Sequence, residues 1–159
     1  MKIAILGLRT IGPEALGGIE KVVEELSVRY VRTGHDVTVF VRGRYAHDME
    51  GSFKGVKLKA LPAIYTKHLE AITNTITAIL FSLRGYDVIH INALGPALLS
   101  FIPRLFGQKV VVTIHGQDWR REKWNRFASW VLRLGERAAV SFPQRTIVVS
   151  RALKQYENE

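Results

Sequence analysis

The sequence predicts a doubly wound α/β domain, a mainly parallel sheet with helices on both faces. That expectation rests on three features. Short β-branched runs alternate with longer stretches of helical period along the whole chain. Most of those runs are nearly continuous in apolar residues, as in strands buried on both faces. The chain has 159 residues, enough for one compact core and too few for two.

The expected strands are Lys2–Leu6, Asp36–Val41, Val56–Leu61, Val88–Ile91, Lys109–Ile114 and Thr146–Val149. Helical periods fill the intervals. Ile19, Val22, Val23, Leu26 and Tyr30 mark one buried face, and Gly34 supplies the stop. Leu69, Ile72, Ile76, Ile79, Leu80 and Leu83 mark a second helix that stops at Gly85. A third runs from about Pro96 to Phe106, opening on a proline whose missing N–H costs little there. A fourth runs from near Trp119 to Ala139, with Trp124, Phe127, Val131 and Leu134 as its core positions. Between Asp36 and Leu61 the connection is too short for a helical crossover, so that strand pair is either a hairpin or an edge irregularity. The final residues, Ser150 to Glu159, read as one more helix just begun, which suggests a further domain beyond them.

Composition narrows the chemistry. There is no cysteine, which excludes disulfide frameworks, thiolate zinc sites and cysteine nucleophiles. Lysine plus arginine number 23 against 14 acidic residues, a net charge of +9 that suits an anionic partner without choosing one. The apolar run at residues 3–6 is a first strand and not a signal peptide. The most apolar long segment, Ala93 to Phe106, is interrupted by Pro96, Pro103 and Arg104, so no bilayer span is expected. The expected location is cytoplasmic, free or peripheral to the inner face of the membrane. The five histidines are scattered, with no H-x-x-x-H or H-E-x-x-H spacing, so no metal site is expected. No G-x-S-x-G elbow is present.

In open parallel sheets, ligands bind beyond the carboxyl ends of the strands. After the first strand the chain runs Gly7 to Gly18, and the Gly17-Gly18 pair opens a helix whose free N–H groups favour a phosphate. The glycine spacing is not the dinucleotide fingerprint, and no P-loop lysine follows. After the fifth strand comes His115-Gly116-Gln117-Asp118. His115 sits at the rim, where it can reach a sugar hydroxyl or a pyrophosphate; Asp118 either binds a hydroxyl or caps the next helix. His90 lies inside its strand as a core histidine, and Asn92 lies nearer the rim as a ligand contact. Ser150 and Arg151 end the sixth strand, Ser150 as an N-cap or a contact. The basic, tryptophan-rich segment Trp119 to Trp130 fits either an anionic membrane surface or ordinary packing.

Five stretches taken in order give the chain a family likeness: Gly17-Gly18-Ile19-Glu20 with Val23 and Leu26, Gly34-His35-Asp36-Val37-Thr38-Val39, Asp87-Val88-Ile89-His90, Thr113-Ile114-His115-Gly116-Gln117-Asp118, and Ile147-Val148-Val149-Ser150. The chain resembles the N-terminal domain of the retaining GT-B glycosyltransferases of the family-four type. Leu94-Gly95-Pro96-Ala97 and Asp118-Trp119 resemble a bacterial subgroup linked to polysaccharide assembly. The resemblance implies a Rossmann-like, acceptor-side half, residues 1–159, facing a nucleotide-sugar domain that this chain lacks. It implies hexosyl or rhamnosyl transfer, with retention, from a nucleotide-diphosphate sugar to a glycan or lipid-linked acceptor, without a cofactor or metal. His115 would contact the transferred sugar as the catalytic residue, and Gly17 and Gly18 would approach the donor diphosphate. Glu20, Asn92, Gly116, Asp118, Ser150 and Arg151 would bind substrate. The chain alone would be inactive. The competing readings are an NAD-dependent enzyme, opposed by the missing fingerprint; a non-catalytic acceptor-binding or membrane-docking subunit; and nucleic-acid binding, for which no motif speaks.

Overall fold

The computed structural model describes residues 1–13, 15, 17–45, 51–66, 69–120, 122, 124–150, 153, 155 and 156. Seven strands form one sheet: β1 (Lys2–Leu6), β2 (Asp36–Arg42), β3 (Gly51–Phe53), β4 (Val56–Leu61), β5 (Val88–Asn92), β6 (Lys109–Ile114) and β7 (Arg145–Val148). Their order across the sheet is β3-β4-β2-β1-β5-β6-β7. Every pairing is parallel except that of β3 with β4. The chain winds outward from β1 in one direction and then, from β5, in the other. The switch point therefore falls between β1 and β5.

Alternation along the strands feeds two cores. Ile3, Ile5, Val37, Val39 and Val41 face helix α1 (Gly18–Arg32) through Val23 and Val28. Ala4, Leu6, Phe40, Ile89, Ile91, Val110 and Val112 face the opposite layer. That layer holds α2 (Leu69–Ser82), the short α3 (Leu94–Ala97) and α4 (Phe101–Leu105), and α5 (Arg126–Ser141). β1, β2, β5 and β6 thus bury both faces, which is why they read as apolar runs rather than alternations.

The ends of α1 follow from its sequence. Gly34, at φ +84°, closes the helix in a left-handed turn in which its N–H donates to Val31 O and that of His35 to Tyr30 O. Close packing between layers depends on Gly135 of α5, where a Cβ would collide with the Leu94 carbonyl oxygen of α3.

Several expectations need correction. Of the two alternatives for β2 and β4 the hairpin fails, since they are parallel neighbours; the edge irregularity holds, as the antiparallel hairpin β3–β4 joined at Lys54-Gly55. Strand β3 escaped the sequence reading because its three residues carry no alternation and form only by pairing with β4. The expected third helix is two pieces, because Pro103 has no N–H to give Leu99 O and residues 98–100 tighten into a turn. The expected fourth helix begins only at Arg126, where Asn125 Oδ1 accepts the Ala128 N–H at 2.8 Å; Asp118 instead opens a separate 3-10 turn, Asp118–Arg120. Apolar faces were also misplaced. Val22, Ile72, Ile76, Leu80 and Phe127 are exposed, while α2 buries Asn74, Thr75, Ala78 and Ser82 together with the expected Ile79. Small and short polar residues let that helix lie close to the sheet.

Candidate active site

At the switch point the exits of β1 and β5 nearly touch. Gly7 has φ +98°, and a Cβ there would meet the Asn92 backbone at 2.9–3.1 Å. Only glycine satisfies both demands, the left-handed turn and the close approach.

From Gly7 the chain crosses the carboxyl rim toward α1. Leu8 and Ile11 are buried and pin this loop to the core. A carboxylate also pins it: the Gly12 N–H donates to Glu24 Oε2 at 3.1 Å, while Lys54 Nζ holds Oε1 at 3.1 Å and Lys21 lies 3.6 Å from Oε2. Burial raises the Glu24 pKa, but the Lys54 and Gly12 hydrogen bonds and the two lysine charges outweigh it and hold the carboxyl below its ordinary value. Nothing in helical period marks Glu24 as a buried acid.

The loop delivers Gly17 as the N-cap of α1, extended and without a side-chain cap. The Glu20 carboxylate folds back against Gly17, where a Cβ would strike it. In front of Gly18 there is open space.

β5 and β6 bring two histidines to the same rim. His90 is buried, bonded through Nε2 to Thr113 Oγ1 at 2.7 Å, and burial together with the His115 charge pushes its pKa down to about 4. It is a neutral core histidine, as its place within the strand implied. His115, one strand over and past the sheet end, is half-buried. Burial lowers its pKa too, against the opposing pull of Asp118 and Glu20. Its Nε2 donates to Asn92 Oδ1 at 3.2 Å, since that oxygen can only accept. The neutral ring therefore carries its proton on Nε2 and presents Nδ1 as an acceptor. Asn92 is fully buried behind the rim, and its Nδ2 has no partner among the described residues. An unpaired buried amide costs about 1–3 kcal/mol unless something pairs it.

His115 borders a cavity of about 390 Å³ that is lined also by Gly116, Gln117, Arg120, Ser150, Leu153 and Tyr156. Of the expected site residues His115, Gly116 and Ser150 line it; Asn92 bonds to His115, the charges of Asp118 and Glu20 act on the His115 ring, and Glu20 lies against Gly17. Ser150 Oγ accepts the Leu153 N–H at 3.1 Å, so it caps the terminal helix while lining the cavity. Arg151 lies outside the described residues. Arg120 and Tyr156 were missed; they arrive from a turn and from the chain's end, by paths that sequence spacing does not record.

The match to a family settles the kind of protein. Residues 17–156 match the glycosyl transferase 4-like domain. The chain belongs to the glycosyl transferase 4-like family. No curated protein matches it. Among solved structures it is similar in fold to HepE (Alr3699) of Anabaena, crystallised in complex with UDP, at 18% identity and a TM-score of 0.64. That match covers 99% of this chain, which spans 40% of HepE's length. The domain is thus a Rossmann-like half of a GT-B fold. No helix among the described residues is long and apolar enough to cross a membrane.

Proposed function

We propose that this chain is the acceptor-side half of a retaining glycosyltransferase, and that a second, nucleotide-sugar-binding domain completes its site. The observation that carries this reading is the paired rim of β5 and β6: a neutral His115 with Nδ1 available, beside a buried Asn92 amide with an unused donor. A sugar hydroxyl can donate to His115 Nδ1, and Asn92, bonded to Nε2 through Oδ1, holds the ring in that orientation. The clear space at Gly18, at the start of α1, leaves room for a diphosphate facing the same rim. HepE's crystallised partner, UDP, is the product a uridine-diphosphate donor would leave.

In the reaction so proposed, the bond from the anomeric carbon to the diphosphate oxygen breaks, and the acceptor oxygen bonds to that carbon on the same face. The acceptor's proton passes to the departing phosphate oxygen. No nucleophile from this half is required. His115 and Asn92 orient the sugar and stabilise its polar groups in a place partly shielded from water. The 159 residues alone would not turn over.

The test is transfer from a panel of nucleotide sugars to a lipid-pyrophosphate acceptor. It compares the protein extended past Glu159, its His115→Ala variant and the 159-residue chain. Activity confined to the extended parent supports the reading. Turnover by the 159 residues alone, or undiminished turnover by His115→Ala, contradicts it. An extended protein inert with every donor would favour a non-catalytic acceptor-binding subunit.

A further inference from the structure

Beside the His115 cavity lies a second, larger cleft of about 770 Å³, built from the 3-10 turn and the first turns of α5. It shares Arg120 with the first. Arg120, Arg126 and Arg133 line it, and none forms an ion pair with a described carboxylate. Arg42, at the end of β2, differs: it is paired with Glu70 at 2.9 Å.

The cleft is also pre-organised. The Arg120 and Arg133 guanidiniums lie over the Trp119 ring, 4.9 and 4.2 Å from its centroid. The ring is held by its N–H, 3.1 Å from each oxygen of Glu136, and its backbone carbonyl accepts from Ser129 Oγ at 3.1 Å. Glu136, the only acid on α5, is thereby engaged away from the arginines. Stacked guanidiniums keep their in-plane N–H groups free for phosphate. Further out, Phe127 and Trp130 stand 71% and 57% exposed with ring centroids 6.1 Å apart. An exposed aromatic pair thus lies beside a cationic cleft, which joins the His115 cavity through Arg120.

We propose that this cleft binds the phosphate-bearing head of an amphiphilic acceptor. The phosphate groups lie on Arg120, Arg126 and Arg133, the hydrocarbon chain on Phe127 and Trp130, and the headgroup sugar points toward His115. This rests on the transferase reading only for the fate of the bound molecule; binding itself belongs to this chain. A charged head with an apolar tail matches this pairing of arginines with exposed aromatics, whereas a soluble anion would leave the aromatic pair unused.

The probe is farnesyl diphosphate below its micelle concentration, titrated into the 159-residue chain by calorimetry and tryptophan fluorescence, beside farnesol, inorganic pyrophosphate and phosphatidylglycerol vesicles. Saturable binding of farnesyl diphosphate is expected. It should weaken by roughly tenfold or more in the double variant Arg126→Gln/Arg133→Gln, since charge-assisted contacts to phosphate are lost. Phe127→Ser/Trp130→Ser should weaken farnesyl diphosphate similarly and leave pyrophosphate binding unchanged. The milder single variant Arg126→Gln, at an exposed helix start, should show an intermediate loss. Equal binding of farnesol, unchanged affinity in both double variants, or adsorption to vesicles without binding of the monomeric probe would overturn the proposal, the last in favour of a membrane-facing surface. Binding without transfer by the extended protein would instead overturn the transferase reading and leave this one standing.

Discussion

The two rims of the sheet make an instructive contrast. The amino-end rim holds a cavity of about 590 Å³ between Met1, Lys2, Gly34, Asp36, Gly85, Tyr86 and Asp87, larger than the 390 Å³ beside His115. Yet its polar groups are locally spent. The Lys2 N–H donates to Asp87 Oδ2 at 2.7 Å, the Asp87 N–H to Lys2 O at 2.8 Å, and Lys57 holds Asp36 at 2.8 Å. At the carboxyl-end rim a buried amide of Asn92 and a ring nitrogen of His115 are left over. Volume does not separate the two ends; unspent, directed hydrogen-bonding capacity does.

Several changes would sharpen or break that contrast. The largest effect is expected in catalysis. His115→Ala or Asn92→Ala should lower transfer by the extended protein by about 10²-fold, the usual cost of one lost polar group at a reacting centre. Asp87→Asn, at the other rim, should leave transfer unchanged. Equal losses from both ends would erase the distinction.

Stability comes next. Gly7→Ala imposes a left-handed φ on a residue with a Cβ and drives that Cβ against the Asn92 backbone. A loss of about 3 kcal/mol in urea unfolding is expected, combining the backbone and overpacking terms. Gly135→Ala should cost about 1–3 kcal/mol by prising α5 from α3.

A smaller effect is expected at Glu24, which ties the glycine loop to α1 and to the β3–β4 turn. Its folded pKa is depressed, so its contribution is fully present above the ordinary value of 4.5 and is lost as pH falls through the folded value. Glu24→Gln should therefore cost about 1 kcal/mol at neutral pH. The gap between parent and variant should close as the unfolding series is taken below pH 4.5. A gap that widened in acid would contradict the pairing. The smallest effect is expected from Asp36→Asn, whose partner Lys57 is well exposed; about 0.5 kcal/mol or less should separate it from the parent in the same assay.

Much of this was legible in the sequence, for identifiable reasons. Strands buried on both faces announce themselves as apolar runs, so β1 and β6 could be bounded to the residue. The places of the candidate groups were legible because the ends of parallel strands are fixed: His115 and Asn92 fell where the runs stopped, and the Gly17-Gly18 pair where the first helix begins. Which helix stripe is covered was not legible. Ile72 and Ile76 make a better apolar period than Asn74 and Thr75, yet the sheet takes the latter because their short side chains fit against it. Glu24, Arg120 and Tyr156 were invisible for a related reason: their partners lie on other elements, and only the folded chain brings them together.

The most direct test of the central claim is where the donor lands. In the isotopically labelled extended protein, titration with a nucleotide sugar should shift the Asn92 side-chain amide, the His115 ring and the Gly18 amide, and leave Gly34, Gly85 and Asp87 unmoved. Shifts gathered at Gly34, Gly85 and Asp87, with Asn92 and His115 silent, would place the ligand at the wrong end of the sheet and contradict the account.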